Sequence, residues 1–453
     1  MYYYIEFILT LKISKMGKED FIESFNILNI SEEELSNLAR HTGFIQRVRK
    51  IDSLEFMYSL GCESMHGIAS YNDIAASIEN VNGTSISRQA IRKKVQETCV
   101  EYFKRVLELV ILSKANEQLI SEEVRKCNFK RVLIQDSTII KLPVRLLEFF
   151  SGVSNGSTIV CNARIQGVYD LLSGKFISFS INSYKMNDQA SVLEMEITKD
   201  DLTLRDRGYL SMDEIKRHIK SEAHCIYRHK MNTQFLDDAT EEPIDLLAIL
   251  KKEGSVDRIV RLNDAERSSV RIVAMPVDQE TADLRRMKAK KETKGHNPSK
   301  NLLELQSWTI FVTTIPSEQA NFNTLLKIYG LRWRIEIIFK SWKSNMHFDH
   351  IHNVSKNQLI ITIIMRMIMF LIINQLIYNP AKKLIYRELN RNLSLLKLTK
   401  YLLRNPIKIA LLVQELKENS DAITNLISSI ALYCTYEKRK RQNFEQQIEI
   451  LYA

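Results

Sequence analysis

The sequence predicts a helix-rich α/β protein, and three observations carry that expectation. Thirteen glycines and seven prolines in 453 residues fall well below the usual shares of about 7% and 5%. So few turn formers exclude an all-β sandwich or a collagen-like repeat. Between residues 130 and 345, short strand-like runs such as Val132–Ile134, Leu202–Leu204 and Trp308–Thr313 are interspersed with helical stretches. Helical segments fill most of the chain on both sides.

In order, residues 17–125 read as helices with few breaks. Within them, Tyr71–Val95 holds a helix, a break at Asn82-Gly83, and a second helix for which Ser87 is a fitting N-cap. That second helix carries Arg88, Arg92, Lys93 and Lys94. The layout suits a helix-turn-helix that presents a basic helix to DNA, and equally a helical hairpin with a solvated basic face. From Lys130 the pattern turns to strands. Val132–Ile134 leads to Asp136, and two alternating runs form a hairpin hinged at Leu172–Gly174. A helix is expected over Asp188–Thr198. Leu202–Leu204 delivers Asp206, Met212–Lys220 reads as helix and His224–His229 as strand. Residues 232–306 look like an interruption, with strands at Asp257–Leu262 and Ser269–Val273. Its later part, Thr281–Lys300, has seven Lys/Arg against two acids, a solvated loop or a phosphate-contacting arm. Trp308–Thr313 is a strand, and helix follows almost to a terminal basic cluster, Lys438–Arg441.

At about 150 residues per domain, the length allows about three domains, or one large domain with an insertion. Hydrophobic residues at 45% and charged residues at 26% exclude wholesale disorder. A net charge of +10 fits a polyanionic partner, either nucleic acid or an anionic surface, and also an ordinary basic protein. The six cysteines include no Cys-x-x-Cys pair, which fits a reducing cytoplasm rather than a zinc knuckle or redox dithiol. The first residues lack a basic leader and a small-residue cleavage site, so no signal peptide is expected, and Met16 is an alternative start. Gln358–Tyr378 is long enough to span a bilayer. Arg366 at its centre would cost about 2.5–3.5 kcal/mol there, so a buried core helix is expected and no membrane partner.

The chemistry concentrates in Lys327–Lys343, KIYGLRWRIEIIFKSWK. On one helical wheel, Tyr329, Arg332, Glu336, Lys340 and Lys343 share an arc of roughly 80°. Ile328, Leu331, Ile335, Ile338 and Trp342 form the buried face. Read alone, the charged stripe also fits a solvated face with a Glu336–Lys340 pair. Two further carboxylates, Asp136 and Asp206, follow short strands. Two strand-held aspartates and one helical glutamate make an oxygen-only donor set suited to Mg²⁺ or Mn²⁺. Two such ions can serve the attacking and leaving oxygens of a phosphodiester.

These residues resemble the DDE superfamily of insertion-sequence transposases, in the group marked by a Tyr-Arg-Glu-Lys signature. Tyr329, Arg332, Glu336 and Lys343 meet its spacing of three, four and seven positions. Asp136-Ser137-Thr138 matches the context of the family's first aspartate, and Asp206-Arg207-Gly208-Tyr209 that of the second. The resemblance implies an α/β fold with a ribonuclease H-like core interrupted by a β-rich insertion. Residues 1–125 would be a helical DNA-binding region with the helix-turn-helix at 71–95. Residues 126–231 and 307–378 would form the core, 232–306 the insertion, and 379–453 a helical region for dimerisation or DNA contacts. It also implies Asp136, Asp206 and Glu336 as catalytic ligands of two Mg²⁺ or Mn²⁺ ions. Tyr329, Arg332 and Lys343 would contact phosphates, with Lys340 on the same face. Trp308 would occupy the place where hairpin-forming members stack a flipped base; the basic helix after Ser87, read from its own residues, is expected to bring Arg88 and Arg92 to the element end. The implied partners are double-stranded DNA, as terminal repeats and target, and a second copy of the chain, in the cytoplasm. HFDHIH at 347–352 and the pair His224 and His229 are expected to bind no metal, and no phosphate-cradling Gly-x-x-x-x-Gly-Lys-Ser/Thr loop is present.

Overall fold

The computed structural model describes residues 17–47, 49–65, 69–113, 126–152, 160–185, 195–231, 233–292, 297–348, 351, 354–405 and 424–436. The described strands are β1 (Arg131–Lys141), β2 (Asn162–Asp170), β3 (Lys175–Ser183), β4 (Asp201–Arg205), β5 (His224–Arg228), β6 (Phe235–Asp237), β7 (Val256–Leu262), β8 (Ser269–Pro276) and β9 (Trp308–Thr313). Contacts divide the chain into two units. One comprises residues 120–136 and 188–332; the other comprises 1–119, 137–187 and 333–453.

In the first, the sheet unit, β1, β4 and β5 run parallel. Every residue of β4 is buried, the mark of a parallel strand covered on both faces. Antiparallel strands continue the sheet, β9 on β5, then β8, β7 and β6. The strands expected inside the interruption are therefore formed, and β8 pairs along β9, so they lengthen the same sheet. Ile310 and Val312 of β9 join Cys225, Tyr227, Val256, Val260, Leu262, Ile272 and Ala274 in one apolar core. The alternate residue Phe311 faces the other way, against Phe322 and Tyr329, as the period of two requires. The basic stretch expected as a loop or arm is largely a helix, Gln279–Glu292. The Asp278 side chain accepts from Thr281 N at 2.8 Å at its start. Arg285 and Arg286 tie it to the carbonyls of Trp308 and Leu303.

The second, helical unit is centred on Lys356–Ile373, packed on helices Ser53–Met65 and Glu97–Leu112. Arg366 is fully buried and donates to Ser64 O at 2.9 Å and His347 O at 2.7 Å. This membrane-length segment is a core helix here, with its charge satisfied by backbone carbonyls. The β2–β3 hairpin belongs to the same unit and turns at Gly174, φ 69°. Gly167 on β2 matters sterically, because a Cβ there would stand 3.0 Å from the Phe176 ring and 3.2 Å from Phe179. Tyr71–Asn82 closes at Gly83 in the left-handed region, φ 71°, and Ser87 Oγ accepts from Ala90 N to start the helix Arg88–Lys94. Ile91 and Val95 are buried while Arg88, Arg92 and Lys93 are exposed. Most of the helix expected over Asp188–Thr198 lies outside the described residues, and 195–198 are irregular. Lys438–Arg441 also lies outside them.

Candidate active site

The sheet unit brings the two aspartates together by register. Gln135 of β1 pairs with Arg205 of β4 across parallel strands. Asp136, still within β1, and Asp206, just past the end of β4, each follow that paired position by one residue, on strands that neighbour each other at about 4.8 Å. β1 does not stop at Asp136, as the sequence reading had it, but runs to Lys141, because Thr138 and Ile140 keep an alternating buried face. Asp206 leaves β4 in extended backbone, φ −69° and ψ 160°, and precedes a tight turn in which Tyr209 N bonds Asp206 O at 3.0 Å. Tyr209 is buried and anchors that turn.

Gln135 and Arg205 point away from the aspartates and are fully buried. Arg205 Nη1 donates to Glu214 at 2.5 Å and lies 3.4 Å from Tyr227 Oη. Burial works against the Glu214 carboxylate, yet the charge and hydrogen bond of Arg205 hold its pKa below the usual range. The Arg205 carbonyl accepts the Tyr329 hydroxyl at 3.3 Å. Arg332 reaches Asp136 at 3.4 Å and stands 5.7 Å from the Tyr329 ring centre. Burial pushes the Tyr329 phenol up to about 12, with Asp206 adding to the rise and Arg332 and Arg228 opposing it. Tyr329 is thus a hydrogen-bond donor near neutral pH and not a base. Arg228 ends β5 with its guanidinium 5.8 Å from the Phe311 ring centre. Burial and the like charges of Arg285 and Arg207 lower its pKa, while Tyr329 and Asp206 oppose the fall.

The single helix read over 327–343 is two. Phe322–Gly330 ends at the glycine, Leu331 N and Arg332 N bond three residues back, and Trp333–Asn345 starts anew. Gly330 lowers helix propensity at the junction, and the shorter bonds tighten the last turn. Glu336 sits in the first turn of the new helix, which lies in the helical unit. That helix is anchored by Trp342, fully buried among Phe176, Phe179, Phe339, Phe348 and Phe370. The expected face of Ile335, Ile338 and Trp342 is buried, and so are Arg334, Ile337, Phe339 and Ser341. Lys340 is exposed and Lys343 half-buried. Trp308 lies on the core side of β9 and donates its indole N–H to Gly254 O at 2.7 Å.

The donors suit a hard divalent cation in their chemistry, being carboxylate oxygens without sulfur. Among the described residues no three His, Cys, Asp or Glu side chains form a metal-holding group. His224 packs on Phe129 and His229 on Phe235. Residues 349, 350 and 352 of HFDHIH lie outside the described residues. Arg205, Glu214 and Arg228 were not singled out from sequence; the one signal for Arg205 was its place directly before Asp206.

Two aspartates on neighbouring parallel strands, with Tyr329 and Arg332 bonded beside them, make up the candidate site of this α/β sheet. The family model described as "Transposase DDE domain" matches residues 128–372, and the chain belongs to that family. The transposase of insertion sequence element IS231B from Bacillus thuringiensis subsp. berliner is 25% identical over 439 residues, covering 91% of this chain and 90% of that protein. The transposase of IS231F from Bacillus thuringiensis subsp. israelensis is 25% identical, with coverage of 92% and 91%. The transposase of IS1151 from Clostridium perfringens is 26% identical, covering 83% of each. Divalent-metal chemistry on DNA is what the family implies.

Proposed function

We propose that this chain is the cut-and-paste transposase of an insertion sequence, cleaving DNA at the element ends and joining them to a target. The observation that carries the reading is the Gln135↔Arg205 register, since Asp136 and Asp206 each follow that paired position by one residue. It is supported by family membership and by the match of Tyr329, Arg332, Glu336 and Lys343 to the signature. Asp136, Asp206 and Glu336 would hold two Mg²⁺ or Mn²⁺ ions. When bound, these supply Lewis acidity to the attacking and leaving oxygens of the phosphodiester.

The chain's own residues do the rest. Arg332, already beside Asp136, offers a planar fork to a phosphate once the carboxylate is engaged elsewhere. Tyr329, protonated, keeps its hydroxyl as a donor at the edge of β4. Lys343, and Lys340 more weakly, add positive charge for the strand. Water first hydrolyses one strand at the element end. The freed 3′-hydroxyl then attacks the opposite strand to give a hairpin, which is reopened before strand transfer; this step follows the family resemblance. Arg88 and Arg92 read the terminal repeat, and two copies pair two ends. The domain limits at 125, 231, 306 and 378 are part of the same reading, with 232–306 as the insertion.

A labelled linear DNA end separates the alternatives. Cleavage followed by joining supports the proposal. Binding alone would indicate a non-catalytic DNA-binding descendant, and cleavage alone a nuclease.

A further inference from the structure

One face of β9 carries a row of cations that the signature residues do not include. Thr309 and Phe311 share this face, opposite Ile310 and Val312 in the core. Arg285 is fixed at its start, Nη1 on Trp308 O at 3.1 Å and Nη2 on Thr309 Oγ1 at 3.0 Å. Arg228 lies over Phe311, and Phe311 in turn packs 5.3 Å from Tyr329. Among the described residues, the Arg228 side chain makes no ion pair or hydrogen bond. A half-buried guanidinium without a bonded counter-ion is costly unless an anion reaches it.

We propose that Arg228 and Arg285 form a second phosphodiester-binding site, which receives the DNA backbone as the strand runs from the Asp206–Tyr329 edge along β9. The inference rests on the transposase reading and deepens it by placing one stretch of the strand. Arg285 is held in place by two protein hydrogen bonds and retains further N–H donors for a phosphate oxygen. The aromatic floor of Phe311 shields Arg228 from water, which strengthens a contact to phosphate. Exposed Arg207, on the turn after Asp206, flanks the row.

The test measures binding rather than cleavage, in metal-free buffer containing a chelator. The affinity of full-length protein for a labelled linear end is followed against salt. Each phosphate contact contributes about 0.9 to the slope of log K against log salt. The double variant Arg228→Gln/Arg285→Gln should lower the slope by about 2, and Arg285→Gln alone by about 1. Arg228→Lys keeps the charge and should retain the slope, which covers the case in which Arg228→Gln does not fold. Methylphosphonate linkages scanned along the end should weaken wild-type binding at one or two positions to which the double variant is indifferent. An unchanged slope in folded variants overturns this site while leaving the transposase reading standing. If the wild-type protein binds no DNA, the transposase reading itself fails.

Discussion

Replacing Arg205 should destabilise the sheet unit far more than an ordinary polar change. Its side chain is fully buried and its partner Glu214 is 17% exposed. Nε and Nη2 of Arg205 are already buried without hydrogen bonds, so the Glu214 contact is its main compensation. Arg205→Met leaves a largely buried carboxylate without its main partner, and removing one member of a buried pair costs about 3–5 kcal/mol. Glu214→Leu leaves the buried guanidinium uncompensated and should cost a similar amount. For a unit of this size about 2–4 °C is lost per kcal/mol, so the melting temperature should fall by about 6–20 °C. The double variant Arg205→Met/Glu214→Leu removes both charges and should recover most of the loss, since apolar replacement of a buried pair is often neutral. Urea unfolding of the four proteins gives the double-mutant cycle. A coupling below about 1 kcal/mol, or single losses of that size, would mean that the Arg205–Glu214 pair does not hold the sheet unit together. Because Arg205 precedes Asp206 and its carbonyl receives Tyr329, end cleavage by the single variants should fall even at temperatures where they remain folded.

Three further outcomes are expected. Arg88→Ala/Arg92→Ala should weaken binding to the terminal repeat by about 1–3 kcal/mol per lost guanine contact and leave unrelated DNA less affected; equal loss on both, read by competition binding, would make the helix a non-specific basic face. Trp308→Ala should lower the melting temperature and depress every step together, because the indole is held by Gly254 and the core. An unchanged melting temperature with loss of hairpin alone would instead support base stacking. Burial lowers His218 and His229 from 6.5 to about 4, so both are neutral when folded while the unfolded chain takes up protons first. Stability should therefore be full above pH about 6.5 and fall towards pH 4, a loss that His218→Gln should reduce in urea titrations at the two ends of the range.

Much of the fold was legible because local pattern and tertiary placement agree. The runs at 132–134, 202–204 and 308–313 are strands, the break at Gly83 is a turn, and Arg366 marked its helix as a core element. What failed was non-local or depended on single bonds. No local signal says that β9 inserts between β5 and β8, since that pairing joins residues far apart in sequence. The helix Gln279–Glu292 buries only Ala282 among its apolar residues, so it has no apolar stripe to read. Its fixed points are Asp278 at the start and the bonds of Arg285 and Arg286. The break at Leu331 was hidden because both halves keep the apolar spacing, and only Gly330 hinted at it. In the candidate site, Asp136, Asp206, Tyr329 and Arg332 stand out by residue type, spacing and the family motifs they match. Arg205, Glu214 and Arg228 do not, because their value depends on burial and on which charges face them.

The roles proposed for Asp136, Asp206 and Glu336 in cutting the element end can be tested together. The direct measurement incubates purified protein with a labelled DNA end carrying the element's own terminal repeat, in Mg²⁺, and compares the wild type with Asp136→Asn, Asp206→Asn and Glu336→Gln. Nicking and joining by the wild type, and end binding without any nick by all three variants, are the expected results. A variant that binds and nicks at the wild-type rate would contradict the role proposed for that residue.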